Sequence, residues 1–457
     1  MLTWINPKHA HLSTSCYFTH SKYLHYMNKS LVVLFLVTSA LACQRAEEQN
    51  QQGVSLTEAL DTNTILALTP EQVAFYPEAQ LRGHIEEAMR YIENHIDQQG
   101  RFVYQTNLQE KAAIDPDDYN MLRHMGTVYA MGQVQKTLGG SAQDQLIRRA
   151  CQYVRTCCLD AFPPSEIPAV GMVSDPAISD SRAGRRIKLG GNGLALLGFL
   201  AAQRQDEQFM APDTLTMIAR SIRAMQLEDG SFKSLYSLRH QRYSDFNSLF
   251  YPGEAMLGLI QLYRYDQNEA WLDIVVSGLR AIALQRQELS IEELPTDHWI
   301  LIATAELLEE VPERYYAADK QMFLGHARRI ALKMLQTLDL GDRGIARRGS
   351  FDRSKSATVT GTRLEGMLAM APHLSAYDPQ LEEVLRMAIH LGLHYVAGAQ
   401  VQTGPLRGGV TGVSQAIYGI RQKPDRSDTQ IQIDHVQHVM SGWAWAVERR
   451  DWLYDNQ

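Results

Sequence analysis

Every second predicted helix of this chain opens on a cluster of polar side chains and then turns almost wholly apolar. Residues 193–202, 255–260, 300–305 and 366–370 show the pattern, and all four are rich in small and aliphatic residues. A helix that is apolar all round must be buried all round. Between these segments lie amphipathic ones, over residues 84–96, 143–158, 214–225, 271–285, 325–338 and 381–396. In residues 271–280 apolar side chains return at three- and four-residue steps, which describes a helix with one buried face. About twelve helices result, one pair roughly every 60 residues, longer than the common helical-solenoid repeats of about 34–47. Six such hairpins can close into an all-α (α/α)6 toroid, with inner helices as the wall and outer helices wrapped around it.

The polar openings then acquire a location, because the inner helices would present their N-terminal ends at one mouth. The clusters are Asp118, Tyr119 and Asn120 with Arg123 and His124; Gly190, Gly191 and Asn192; Tyr251, Pro252, Gly253 and Glu254; Asp297, His298 and Trp299; Thr362 and Arg363 with Glu365; and Asp434 and His435 with His438. Short Gly-aromatic segments precede inner helices at residues 100–104, 229–232 and 344–347. They read as tight turns or small β-ribbons decorating that mouth.

The leader is a separate matter. Met27, Asn28, Lys29 and Ser30 precede an apolar run over residues 31–41, which is short for a membrane span and suits a secretory signal. Residues 39–43, Ser-Ala-Leu-Ala-Cys, resemble a bacterial lipoprotein box. The resemblance implies cleavage before Cys43, lipid on its thiol and export to the cell envelope. Gln44, rather than Asp, follows the cysteine, which implies the outer membrane of a Gram-negative cell. Residues 1–26 read as an over-extended start, residues 43–75 as lipidated cysteine and flexible tether, and residues 76–457 as one toroid domain.

The net charge of −7 is mild, and no basic stretch interleaved with aromatics appears, so nucleic acid is not an expected partner. Cys151, Cys157 and Cys158 fall in one predicted helix without a CxxC pair. They do not have zinc-site spacing and read as buried small hydrophobes. No cofactor is expected. Asp434 and His438 share a helix face and could ligate a metal, but no complete helix-borne motif such as HExxH accompanies them.

With hairpin count and clusters in hand, the chain resembles the six-hairpin glycosidase-like superfamily. Tyr251-Pro252-Gly253-Glu254-Ala255 followed by Leu262-Tyr263 is similar to the inner-helix pattern of glucuronyl C5-epimerase-like and N-acylglucosamine epimerase-like proteins. The resemblance implies a carbohydrate substrate, and the superfamily spans hydrolases, uronate lyases and epimerases. A looser likeness links residues 226–232 and 115–118 to the motifs of terpene cyclases, but the interior lacks their dense aromatics.

Glycoside hydrolysis leads the expectations, with Glu254 as general acid and Asp297 or Asp434 as base; Asp118 is the remaining candidate carboxylate. Each has a structural alternative: Glu254 as dipole partner, Asp297 as helix cap. His298 could donate a proton, bind sugar or sit in the core; Trp299 could stack on a sugar ring. Arg123 and Arg363 could clamp a carboxylate, or pair with Asp118 or Glu254. A C5-epimerase or lyase would instead draw its base from Tyr119, Tyr251, His124 or His298. Asn120, Asn192, Glu365, His435 and His438 complete the expected substrate-binding set. A non-catalytic glycan- or protein-binding lipoprotein is the reading from another class.

Overall fold

The computed structural model describes residues 72–454 except 110–112, 115–118, 140–141, 175–184, 205, 342–343 and 421–424, together with Leu56, Leu60, Ile65, Leu68 and Thr69. The leader, Cys43, most of the expected tether and Asp118 lie outside the described residues. Leu56–Gln457 forms one compact unit.

Six outer–inner pairs follow one another along the chain: α1 (Glu78–Asn94) and α2 (Met121–Leu138); α3 (Ala142–Cys157) and α4 (Leu189–Gln203); α5 (Pro212–Met225) and α6 (Tyr251–Asp266); α7 (Ala270–Gln285) and α8 (His298–Glu310); α9 (Lys320–Leu335) and α10 (Ala357–Tyr377); α11 (Leu381–Ala397) and, after the short α12 (Gln415–Ile420), α13 (Ile433–Glu448). A last short helix, α14, covers Arg450–Tyr454. The inner helices touch in the order α2, α4, α6, α8, α10, α13 and back to α2, which closes the ring. The expected all-α toroid is therefore the observed fold. All fifteen residues of α4 are buried, while α5 buries one face only, so the two kinds of apolar pattern sort the helices into wall and wrapping.

Small residues set how closely the wall packs. Gly193 of α4 lies against Glu254 and Ala255 of α6, and a Cβ on Gly258 would stand 2.6 Å from the Gly193 carbonyl oxygen. Neighbouring inner helices run parallel: Gly253 faces Trp299 near the start of α6 and α8, and Gln261 reaches Glu306 near their ends. All six N-terminal ends therefore meet at one mouth and all six C-terminal ends at the other.

Short antiparallel strands rim the mouth. β1 (Gln105–Asn107), between α1 and α2, pairs with β2 (Ala113–Ile114) and with β8 (Gln430–Gln432), which leads into α13. β3 (Leu159–Ala161) pairs with β4 (Val170–Met172). β5 (Arg186–Lys188), at the start of α4, pairs with β6 (Leu235–Ser237), which also pairs with β7 (Arg242–Tyr243).

Two of the three expected turns, at Gly100 and Gly230, prove to belong to a repeated clasp, whereas residues 344–347 hold an exposed 3-10 turn (Ile345–Arg347) and a Cβ on Gly344 would meet nothing within 4 Å. Gly100, Gly230, Gly349 and Gly408 all have positive φ, and each presses on a backbone carbonyl of another outer helix: Arg149 of α3, Ser277 of α7, Leu391 of α11 and Glu87 of α1. Gln226 fastens its turn by donating to the carbonyls of Gly230 (3.1 Å) and Ile274 (2.9 Å). Gln400 does the same with Gly408 (3.4 Å) and His84 (2.9 Å). The segment that resembles a terpene-cyclase motif is thus part of the scaffold, and its geometry recurs where its sequence does not.

The cysteines differ from expectation in one respect. Cys151 is buried and free, with its thiol donating to the Gly198 carbonyl at 3.3 Å, and burial pushes its pKa up. Cys157 ends α3, and Cys158 lies just beyond it; the two are joined as a vicinal disulfide. Among the described residues no helix is long and apolar enough to cross a membrane.

Candidate active site

Three inner helices bring His298, Glu365 and His438 together. His298 is the first residue of α8, capped by Asp297, whose carboxylate accepts from the Ile300 N–H at 3.3 Å. His438 lies in the second turn of α13. Glu365 lies deeper in its helix than the sequence pattern implies, because α10 begins at Ala357, capped by Ser356, rather than at Thr362. This brings its carboxylate to the level of the two imidazoles. His438 Nδ1 lies 2.9 Å from Glu365 Oε2, and His298 Nε2 lies 3.6 Å from the same oxygen. The imidazole rings are 5.5 Å apart and nearly perpendicular.

The two histidines are pushed in opposite directions. His298 is 2 % exposed, and neither ring nitrogen has a hydrogen-bond partner. Burial, then His438 and Arg363, hold its pKa well below the ordinary value, so it is a neutral imidazole. Burial also lowers His438, but the charge and hydrogen bond of Glu365, helped by Asp434, outweigh it and leave its pKa raised. Glu365 is fully buried and its Oε1 has no partner. The ligand atoms of His298, Glu365 and His438 lie within 4.8 Å of one another, so the same trio is the set that could hold a divalent cation.

Glu254, in the first turn of α6, is 6 % exposed with an unpartnered Oε2. It packs on Gly190 of α4, where a Cβ would collide with its carboxylate. Burial and then the charge of Asp297 raise its pKa to about 8, against the opposing pull of Lys188. It is a neutral acid near pH 7, able to donate a proton. Tyr251, one turn earlier, has its pKa pushed up to about 12 by burial and by Glu254.

Asp297 is engaged structurally. It is fully buried, caps α8 and pairs with Arg286 at 3.0 Å. Burial raises its pKa, against the pull of Arg286. Arg363 donates to Thr362 Oγ1 (3.0 Å) and to the Thr296 carbonyl (3.4 Å), and its Nε has no partner. Burial lowers its pKa to about 10, still well above neutrality. Asp434 pairs with Arg123 at 3.2 Å, and Arg123 also donates to Tyr104 (2.6 Å) and Gln432 (3.0 Å).

Other expected site residues face away. The Tyr119 hydroxyl accepts from the Phe102 N–H and meets His124 Nδ1 at 2.9 Å, and His124 Nε2 reaches the Ala150 carbonyl at 3.1 Å. Both side chains therefore lock the Gly100 turn and α3 onto α2, and burial takes His124 down to about 4. Asn192 accepts from the Met172 N–H and donates to Ser221 of α5, and Asn120 caps α2. His435 is drawn toward the backbone of Val410 and Gln430, away from the triad. Trp299 is buried, its ring 5.5 Å from Tyr129 across the barrel, where the pair plugs the lumen beneath His298. Each started from a polar helix opening, and the helical phase turned it toward the outer layer or the lumen floor.

The sequence reading missed Arg286, Phe250 and Lys188. Phe250 lays its ring edge-on to His298 at 5.3 Å and is 36 % exposed. Arg286 follows the end of an outer helix, and Phe250 stands in a loop, so no periodicity marked them.

This ring of hairpins, with its acids and imidazoles at the N-terminal mouth, has the fold of the six-hairpin glycosidase-like toroids. It is similar to a sugar epimerase from a ruminal bacterium (14 % identity, 81 % of this chain and 98 % of that one, TM-score 0.58). It is also similar to a D-mannose isomerase (12 %, 82 % and 99 %, 0.58) and to a GH76 α-mannanase from Bacteroides thetaiotaomicron (10 %, 81 % and 96 %, 0.51). The sequence matches no protein-family model and no curated protein.

Proposed function

We propose that the protein is a carbohydrate-active enzyme that moves a proton on a sugar, as an epimerase or isomerase, at the His298–Glu365–His438 site. The observation that carries this reading is the pair of histidines on either side of Glu365, at 3.6 and 2.9 Å from its Oε2, one with its pKa lowered and the other with its pKa raised. Titratable neighbours whose environments drive their pKa values apart mark a base and an acid. Neutral His298 takes the proton from the carbon beside the sugar carbonyl, and the electron pair of that C–H bond forms the enediolate. Protonated His438 returns a proton to carbon, inverting the centre or shifting the carbonyl. Arg363 balances the enediolate charge, and neutral Glu254 gives its proton to the ring oxygen as the ring opens and takes back the proton that the anomeric hydroxyl releases. Solved structures with this fold include a sugar epimerase and a D-mannose isomerase, which is compatible with the reading.

Hydrolysis, the leading expectation from sequence, has less support. It needs a free base opposite Glu254; Asp297 is committed to Arg286 and the α8 cap, and Asp434 pairs with Arg123 through Oδ2, which leaves only its Oδ1 without a partner. The lipoprotein box supports a proposal of envelope anchoring through Cys43, and a glycan-derived substrate fits that location.

Incubation with mannose, glucose or cellobiose in D2O, followed by NMR, tests the reaction. Deuterium entering at C2 with interconversion of epimers or of aldose and ketose is expected. Cleavage of a glycosidic bond without exchange would establish hydrolysis instead. An unsaturated uronate absorbing in the ultraviolet would establish elimination, and binding without turnover the non-catalytic reading.

A further inference from the structure

A cavity of about 460 Å³ opens at the far end of the barrel, where the inner helices finish. Its walls are the last turns of α2, α4 and α6, with Glu306 of α8 and Trp445 of α13. Tyr129 forms part of its lining and lies against Trp299, whereas His298, Glu365 and His438 do not line it.

The charges in it are unevenly matched. Lys136 pairs with Glu448 at 2.7 Å and Arg264 with Glu310 at 3.2 Å. Arg204, just past the end of α4, has a hydrogen bond to the Gly132 carbonyl at 3.5 Å and no carboxylate within ion-pair distance among the described residues. Arg204 is exposed at the cavity's edge, and partial desolvation and then the nearby Arg264 lower its pKa. Glu306 is 8 % exposed and accepts from Gln261 at 2.9 Å; burial raises its pKa to about 7, which leaves it partly neutral.

We propose that this cavity binds a small sugar acid, with Arg204 gripping the carboxylate and the rings of Tyr129 and Tyr265 receiving the sugar. A guanidinium matches a carboxylate through two parallel N–H donors, and Arg204 has donors to spare. The volume falls in the range of small-molecule sites, about 300–1,000 Å³. The mixture of aromatic faces, amide groups and one unmatched cation favours a hydroxylated carboxylate over a bare inorganic anion. The site is distinct from the mouth, and its existence does not rest on the reaction proposed there.

Calorimetric titration of the full-length protein with D-glucuronate, D-glucose and inorganic phosphate tests this. Saturable glucuronate binding is expected to survive His298→Asn and to weaken by at least about tenfold in Arg204→Gln. Tyr265→Ala, at a residue 44 % exposed, is expected to weaken it without disturbing the fold, and serves if Arg204→Gln melts early. Glucose should not saturate, and phosphate should bind at least about tenfold more weakly than glucuronate. The proposal is overturned by absence of saturable binding, by binding lost in His298→Asn but kept in Arg204→Gln, or by phosphate matching glucuronate.

Discussion

His298 Nε2 stands 3.6 Å from Glu365 Oε2, inside ion-pair range but beyond a hydrogen bond. His438 already occupies that oxygen at 2.9 Å, so His298 keeps a free lone pair for substrate. His298→Asn and His438→Asn should each lower kcat by roughly 10²–10⁴, the usual worth of positioned acid–base catalysis. Deuterium exchange at C2 should fall in parallel. Exchange at the wild-type rate in either variant would remove that residue from the chemistry.

The pH profile follows from the opposed pKa shifts. Activity requires neutral His298, whose pKa is well below 6.5, protonated His438, whose pKa is raised above 6.5, and neutral Glu254, whose pKa is raised to about 8. The acid limb of kcat/KM should therefore fall well below pH 6.5 and the alkaline limb above it. In Glu365→Gln the raising influence on His438 is lost, so the alkaline limb should move to lower pH. An unmoved alkaline limb would show that it belongs to another group.

Asp297 should behave as a structural residue. Asp297→Asn leaves Arg286 without its charge partner, and breaking a buried ion pair typically costs about 3–5 kcal/mol. A large drop in Tm is expected, with residual activity in whatever fraction stays folded. A catalytically dead variant with unchanged Tm would return Asp297 to the chemistry.

Glu254 should cost stability at alkaline pH. A carboxyl whose folded pKa is raised favours folding fully below its unfolded value near 4.5 and loses that contribution as pH rises through about 8. Glu254→Gln should flatten the dependence of Tm on pH across this window. Above pH 8 it should be more stable than wild type by roughly 1–3 kcal/mol, the penalty of an unsatisfied buried group. Turnover should fall at the same time, because the amide cannot supply the proton.

Metal binding and proton transfer compete for the same oxygen. A cation held by His298, Glu365 and His438 would displace the His438–Glu365 hydrogen bond. Dialysis against a chelator should leave turnover unchanged, and added Zn²⁺ should inhibit it. Loss of activity on chelation, restored by Zn²⁺, would make the site a metal centre.

The toroid was legible because burial writes itself into composition: a helix such as α4, buried on every side, has no polar face to show. The amphipathic reading of residues 271–285 meets α7 within one residue. The site was legible only in part. Glu254, His298, Glu365 and His438 were marked by their place at polar openings, but so were Tyr119, His124 and Asn192, which turn outward. Separating the two groups takes the rotation of each helix about its axis, and apolar neighbours on all sides remove the periodic signal that would fix it. Arg286 reaches Asp297 from a different layer, a relationship no local pattern encodes.

The clasp at Gly408 grips α1, and the Tyr454 hydroxyl donates to the Tyr76 carbonyl at 2.7 Å, so the last repeat is fastened to the first as each turn is to another outer helix. The covalent break in the ring thus falls at a seam closed by the same clasp as three other joints. A circularly permuted chain, linked across Tyr76 and Tyr454 and opened in an exposed connection such as residues 267–269, should fold to the same toroid, because the order of the hairpins around the circle matters more than the point at which the chain is cut.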